Sequence, residues 1–165
     1  MNRWLMIAGL LSMLSVAGCD KNAPKSDVFA PVSIQKHDRC ALCGMTILNY
    51  DGPKAEVYIK DIKEPILFCS GRDAFFFALQ PENARRLKAF FIHDIAKTDF
   101  DVPSDQFFMD AKKAHFVYDS RRDGVMGVEP VAFSDKKAAE RFIEQWGGRL
   151  LTYPDITLAT LDSAH

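Results

Sequence analysis

The sequence has no surplus of either charge: 21 Lys+Arg stand against 22 Asp+Glu, a formal net charge of −1. A protein that holds nucleic acid by general basicity is therefore excluded, since nothing would release counterions from a phosphate backbone. Local pairs such as Lys112-Lys113 and Arg121-Arg122 read as solvated faces. Cysteine is scarce, four residues at uneven spacing, which is too few for a disulfide scaffold. No Ser/His/Asp or paired-carboxylate arrangement argues for catalysis, and the acidic residues are scattered among lysines. What is present is 48% hydrophobic and 26% charged residues, a balance that excludes a disordered chain. The length suits one compact unit or two very small ones.

Residues 1–18 (MNRWLMIAGLLSMLSVAG) have a short basic start at Arg3 and an apolar run from Trp4 to Val16. That run falls short of the ~20 apolar residues that cross a bilayer, and it fits the hydrophobic region of a secretory signal peptide. Val16-Ala17-Gly18-Cys19 resembles a bacterial lipobox. The resemblance implies cleavage before Cys19, diacylglycerol on its thiol and an acyl group on its new amine. Several acyl chains meet the requirement for stable anchoring. Asp20 behind the cysteine resembles an inner-membrane retention signal, which Lys21 weakens. Residues 19–38, polar and proline-containing at their start, are expected to form a flexible tether between lipid and body. The compartment is extracytoplasmic and oxidising, where cysteines pair or hold metal.

Beyond the tether the chain resembles itself at an offset of 65 residues. Glu64-Pro65-Ile66 matches Glu129-Pro130-Val131, and Phe68, Ala74 and Phe77 match Phe133, Ala139 and Phe142. Ala55 to Ile59 and His115 to Tyr118 are β-rich runs ahead of these steps. Ser70, and Ser134 or Asp135, stand at helix N-cap positions, and Gly147-Gly148 stops the second helix. The reading is an α+β fold of two small homologous ββαβ units packed together, residues 39–100 and 101–157, with a tail at 158–165. Each unit alone is at a size where burial is marginal, so the two are expected to share packing. Phe75-Phe76-Phe77 reads as a core-facing helix segment.

The sharpest local signal is Cys40-Ala41-Leu42-Cys43-Gly44-Met45. A bare CxxC reads as half a zinc site, a thioredoxin-like redox pair or a structural disulfide. The second half of a zinc site is missing, and a redox pair belongs at a helix N-terminus, where the dipole lowers a thiol pKa. Here an apolar run follows instead. If the chain is extended, Cys43 and Met45 point to one face and set a thiolate beside a thioether, a soft pair that suits Cu(I). Met109 and Met126 stand in contexts unlike core stripes, Met126 in a turn-rich stretch. His115 could offer a nitrogen but reads as structural, and Cys69 reads as a small buried hydrophobe. His37, His93 and His165 receive no role.

Lipobox, CxxCGM near the mature N-terminus, duplicated unit and distal Val125-Met126-Gly127 together resemble the nitrous oxide reductase accessory lipoprotein family, NosL, from Cys19 to about Ile156. The resemblance implies a non-enzymatic periplasmic chaperone that carries Cu(I) towards nitrous oxide reductase apoprotein and its ABC-type assembly complex. It would be held to the membrane through Cys19, with no nucleic-acid partner, as a monomer or weak dimer. The residues implied for metal are Cys40, Cys43, Met45, Met109 and Met126, with Cys19 lipidated. The rival expectation is a lipid-anchored thiol–disulfide oxidoreductase using Cys40 and Cys43, and a third is a lipoprotein stapled by a disulfide.

Overall fold

The computed structural model describes residues 28–162, so Cys19 and the signal segment lie outside the described residues. The first sheet is antiparallel, in the order β2-β1-β3-β4, with β1 Ala55–Ile59, β2 Ile66–Phe68, β3 Leu87–His93 and β4 Phe108–Asp110. Strand β1 lies between two neighbours and all five of its residues are buried. Helix α1 (Gly71–Leu79) follows β2 directly. Ser70 caps it by accepting the Asp73 N–H at 3.0 Å, a contact worth about 1 kcal/mol against alanine. The helix stops at Gln80, which precedes Pro81 and is extended as that position demands. A short helix α2 (Pro81–Ala84) then leads into β3.

The second sheet has the order β6-β5-β7, with β5 His115–Tyr118, β6 Val131–Phe133 and β7 Arg149–Thr152. Helix α3 (Lys136–Trp146) stands between β6 and β7. Asp135, rather than Ser134, caps it, and Gly147 ends it at φ 72°, a conformation glycine adopts without strain. The second half thus runs strand, strand, helix, strand, whereas the first has two helices between β2 and β3 and gains a fourth strand, β4, from beyond the expected boundary at residue 100. A last short helix, α4 (Leu158–Asp162), lays Leu161 into the core.

Alternation along β5 joins the halves. Phe116 and Tyr118 point into a large core with Val57, Phe75 and Phe90, whereas Val117 points into a smaller one with Phe133, Ala139 and Phe142. Phe75 is fully buried, with its ring centroid 4.8 Å from Phe90 of its own half and 5.3 Å from Phe116 of the other. The second sheet is therefore covered by the first unit on one face and by α3 on the other. Of the aromatic triple, Phe75 is core, while Phe76 and Phe77 are half-buried against it.

The opposite face of β1 carries Glu56 and Tyr58, and here the structure departs from the expected tether over 19–38. From Phe29 onward the chain lies on this face as a strap. Phe29 packs on Tyr58 at 5.0 Å, the Tyr58 hydroxyl donates to Ala30 O at 2.7 Å, and the Val32 N–H donates to the Glu56 carboxylate at 3.1 Å. Ile34 N–H donates to Asp105 at 2.8 Å. The reason is that Glu56 and Tyr58 need partners once buried, and the polar backbone of the strap supplies them.

Candidate metal centre

Residues 39–46 form a tight turn, not the extended run expected from Cys43-Gly44-Met45. Arg39 and Thr46 bridge its base, Cys40 N–H donates to Met45 O at 2.8 Å, and Gly44 N–H donates to Cys40 O at 2.9 Å. Gly44 sits at φ 76°, where a side chain would be strained. The consequence is a change of partner. Cys40 is nearly fully buried beneath the turn, Cys43 is exposed at its tip, and Ala41 N–H ties the turn to Leu67 O of β2 at 2.9 Å.

That tie places both cysteines over the junction of β2 and α1. Cys69 lies between the last residue of β2 and the Ser70 cap, and Asp73 lies in the first turn of α1. The ligand atoms of Cys40, Cys43, Cys69 and Asp73 all lie within 4.8 Å of one another. Cys43 and Cys69 thiols are 3.4 Å apart, Cys40 Sγ is 3.2 Å from Asp73 Oδ2, and Cys69 Sγ is 3.7 Å from the same oxygen. Cys69 is buried in the large core, as the sequence suggested, and its Sγ also faces this polar cluster. Asp73 was not among the expected residues at all.

Protons are unevenly shared in this cluster. The interaction with the neighbouring Cys69 thiol lowers the Cys40 pKa to about 4. The same interaction drives the Cys69 pKa far up, with burial adding to the effect. Burial raises Cys43 and raises Asp73 to about 6. The pull is thus towards easier proton loss at the buried Cys40 than at Cys43 and Cys69. Three sulfurs and one oxygen converging on one point, with one side open, can hold a soft metal ion.

The expected methionines are distributed around this centre. Met45 follows the turn and is half-buried against the large core. Met126 lies in the tight turn closed by Gly124 and Gly127, and Arg72 of α1 reaches the nearby Val128 O at 3.2 Å. Met109 is on β4, paired with Ile92, at the sheet edge opposite β2. Three strand spacings, about 14 Å, separate those edges. His115 pairs with Phe133 and Thr152 at the start of β5. His93 is buried, accepts the Lys54 N–H at Nδ1 and reaches Asp105 from Nε2 at 3.2 Å, a structural role. Among the described residues no helix is long and apolar enough to cross a membrane.

The family model described as NosL matches residues 31–161. A copper-binding lipoprotein NosL from Achromobacter cycloclastes is 32% identical over 158 residues, covering 94% of this chain and 80% of the relative. A copper-binding lipoprotein NosL from Stutzerimonas stutzeri is 28% identical over 159 residues, covering 96% and 82%. The crystal structure of the copper chaperone NosL from Shewanella denitrificans superposes with a TM-score of 0.77 at 41% identity, covering 79% of this chain and 97% of that one.

Proposed function

Because the chain belongs to the NosL family, we propose that it is a copper chaperone, a lipid-anchored protein that binds Cu(I) and passes it on without catalysing a reaction. The observation that carries this reading is the convergence of three thiols and a carboxylate within 4.8 Å, with Cys43 alone exposed. Sulfur donors select soft ions over Mg and Ca, and a thioether in the set tips the choice towards Cu(I). Cys40 and Cys43 are the proposed fixed donors with Met45 beside them, and Cys69 and Asp73 extend the set. Of the distal thioethers, Met126 is favoured to close the site, since its turn adjoins α1; Met109 would have to act from the far sheet edge.

The mechanism follows from burial and charge. A Cu(I) ion arriving at the exposed tip meets Cys43 first, and binding there releases the Cys43 proton to solvent. Cys40 at the buried end, whose pKa is lowered by its neighbour Cys69, gives up its proton more readily and would hold the ion as a thiolate. An incoming ligand of a partner approaches from the Cys43 side and forms its bond before Cys43 leaves, so the ion is never free. The proposed recipient is nitrous oxide reductase apoprotein with its ABC-type assembly complex, on the periplasmic side of a membrane to which Cys19 is attached, with Asp20 favouring the inner membrane.

An anaerobic titration of the reduced full-length chain in detergent, with Cu(I) against a coloured competing chelator, tests the reading. One tight equivalent, weakened by Cys43→Ser, is expected; no competition with the chelator would refute it. Met45→Ala tests the thioether separately, and unchanged affinity would remove Met45 from the set. The thiol–disulfide oxidoreductase alternative is not favoured, because the CxxC lies in a turn closed by Gly44 instead of at a helix N-terminus.

A further inference from the structure

Glu129 is an acid in an expensive place. It is 1% exposed, its Oε2 accepts the Gly71 N–H at 2.7 Å from 58 residues away, and its Oε1 has no hydrogen-bond partner among the described residues. A buried carboxyl without full satisfaction costs stability, so simple core filling would be served better by an apolar residue.

Its surroundings are shaped to admit it. Gly52, Gly71 and Gly124 stand around the carboxyl: a Cβ on Gly124 would overlap it, and one on Gly52 would touch it at 3.9 Å. A Cβ on Gly71 would sit 2.8 Å from Pro130 O and 3.4 Å from Glu129 Oε2, closer to the carbonyl than real Cβ atoms come. Arg72 adds a second tie by donating to Val128 O at 3.2 Å. Residues 128–130 of the second half thus clasp the first turn of α1. Its N-cap, Ser70, directly follows Cys69, and Asp73 lies within the turn.

We propose that Glu129 is a positioning residue for the metal centre: by holding the Gly71 amide it fixes the Cys69–Asp73 turn in the orientation that presents both ligand atoms to Cys40 and Cys43. This rests on the copper reading above and adds to it a residue that touches no ligand. The side chain suits the task because its Oε2 accepts the Gly71 N–H, one of the first-turn donors that no helix carbonyl can satisfy. An acceptor at this point locks the turn, and a shorter side chain would release it.

The test compares Glu129→Gln with Glu129→Asp in the full-length chain. Glutamine keeps an acceptor oxygen in place, whereas aspartate keeps the acid and withdraws it by one methylene. Expected are Cu(I) affinity within about threefold of wild type for Glu129→Gln, and a loss of tenfold or more for Glu129→Asp. X-ray absorption should show fewer copper–sulfur scatterers in the Asp variant. A folded Glu129→Asp chain with wild-type affinity and sulfur count would overturn the proposal, as would an equal loss in both variants. Should Glu129→Asp fail to fold, the wild-type protein still answers. If the clasp favours metal binding, metal must favour the clasp, so copper loading should slow hydrogen exchange at the Gly71 amide, and unchanged exchange would overturn the proposal. Failure of the copper reading shows differently, in a wild-type chain that takes no copper, and would overturn both.

Discussion

The Sγ atoms of Cys43 and Cys69 lie 3.4 Å apart although 26 residues separate them in the chain. Cys43 therefore faces Cys69 across the cluster, not only its sequence neighbours Cys40 and Met45.

If Cys69 is a ligand, Cys69→Ser should weaken Cu(I) binding by about tenfold or more, since a hard oxygen replaces a soft sulfur. The chelator competition that tests Cys43→Ser measures it directly. Affinity equal to wild type would leave Cys69 as a neighbour of the metal and not a donor.

The strap makes a prediction about pH. Burial raises the Glu56 pKa to about 7, above its ordinary 4.5. Between those values the folded state holds a proton that the unfolded chain has released, so this group's contribution to stability falls as pH rises from about 4.5 to about 7. Glu56→Gln keeps an acceptor for the Val32 N–H and removes the titration. Its melting temperature relative to wild type should therefore rise between pH 5 and pH 8, by a few degrees as a rough figure. A difference that stays flat with pH, or falls, would refute the assignment.

Gly124→Ala should destabilise the protein, because its Cβ would collide with the Glu129 carboxyl. Overpacking of this kind costs about 1–3 kcal/mol, readable as a lowered urea midpoint at unchanged slope. A midpoint equal to wild type would mean that the 124–127 turn yields without cost.

Phe75→Ala should cost about 3–5 kcal/mol, as loss of a fully buried aromatic does, because its ring meets Phe90 and Phe116 across the two halves. Urea unfolding measures it, and the transition should stay single if the halves share one core. Separate transitions for the two halves would contradict that.

Much of this architecture can be read in the chain, and the places where reading fails have physical causes. The Glu-Pro step repeats in both halves, and both copies lead into a strand and then a capped helix. The same step conceals a difference: Glu64 is exposed, whereas Glu129 is buried against α1. A repeat reports shared local geometry, and tertiary packing then gives equivalent residues different work. At the candidate metal centre, Cys40 and Cys43 announce themselves by spacing. Cys69 and Asp73 do not, because their link to the turn is made by the Ala41–Leu67 hydrogen bond between distant segments. Asp73 also passes for an ordinary first-turn acid of a helix. The usable signal was a third thiol directly before a helix cap. The extended form assumed for Cys43-Gly44-Met45 failed for a local reason, the positive φ that Gly44 supplies.

The strap also sets a leash. With Phe29 packed on Tyr58 and the lipid placed at Cys19 by the proposed anchoring, ten residues connect the bilayer to the globular body. Fully drawn out they reach about 35 Å, roughly one small-domain diameter. Under the proposed anchoring, a recipient would have to come to the membrane surface to be loaded, and a membrane-bound one would gain by proximity what a freely diffusing one would not.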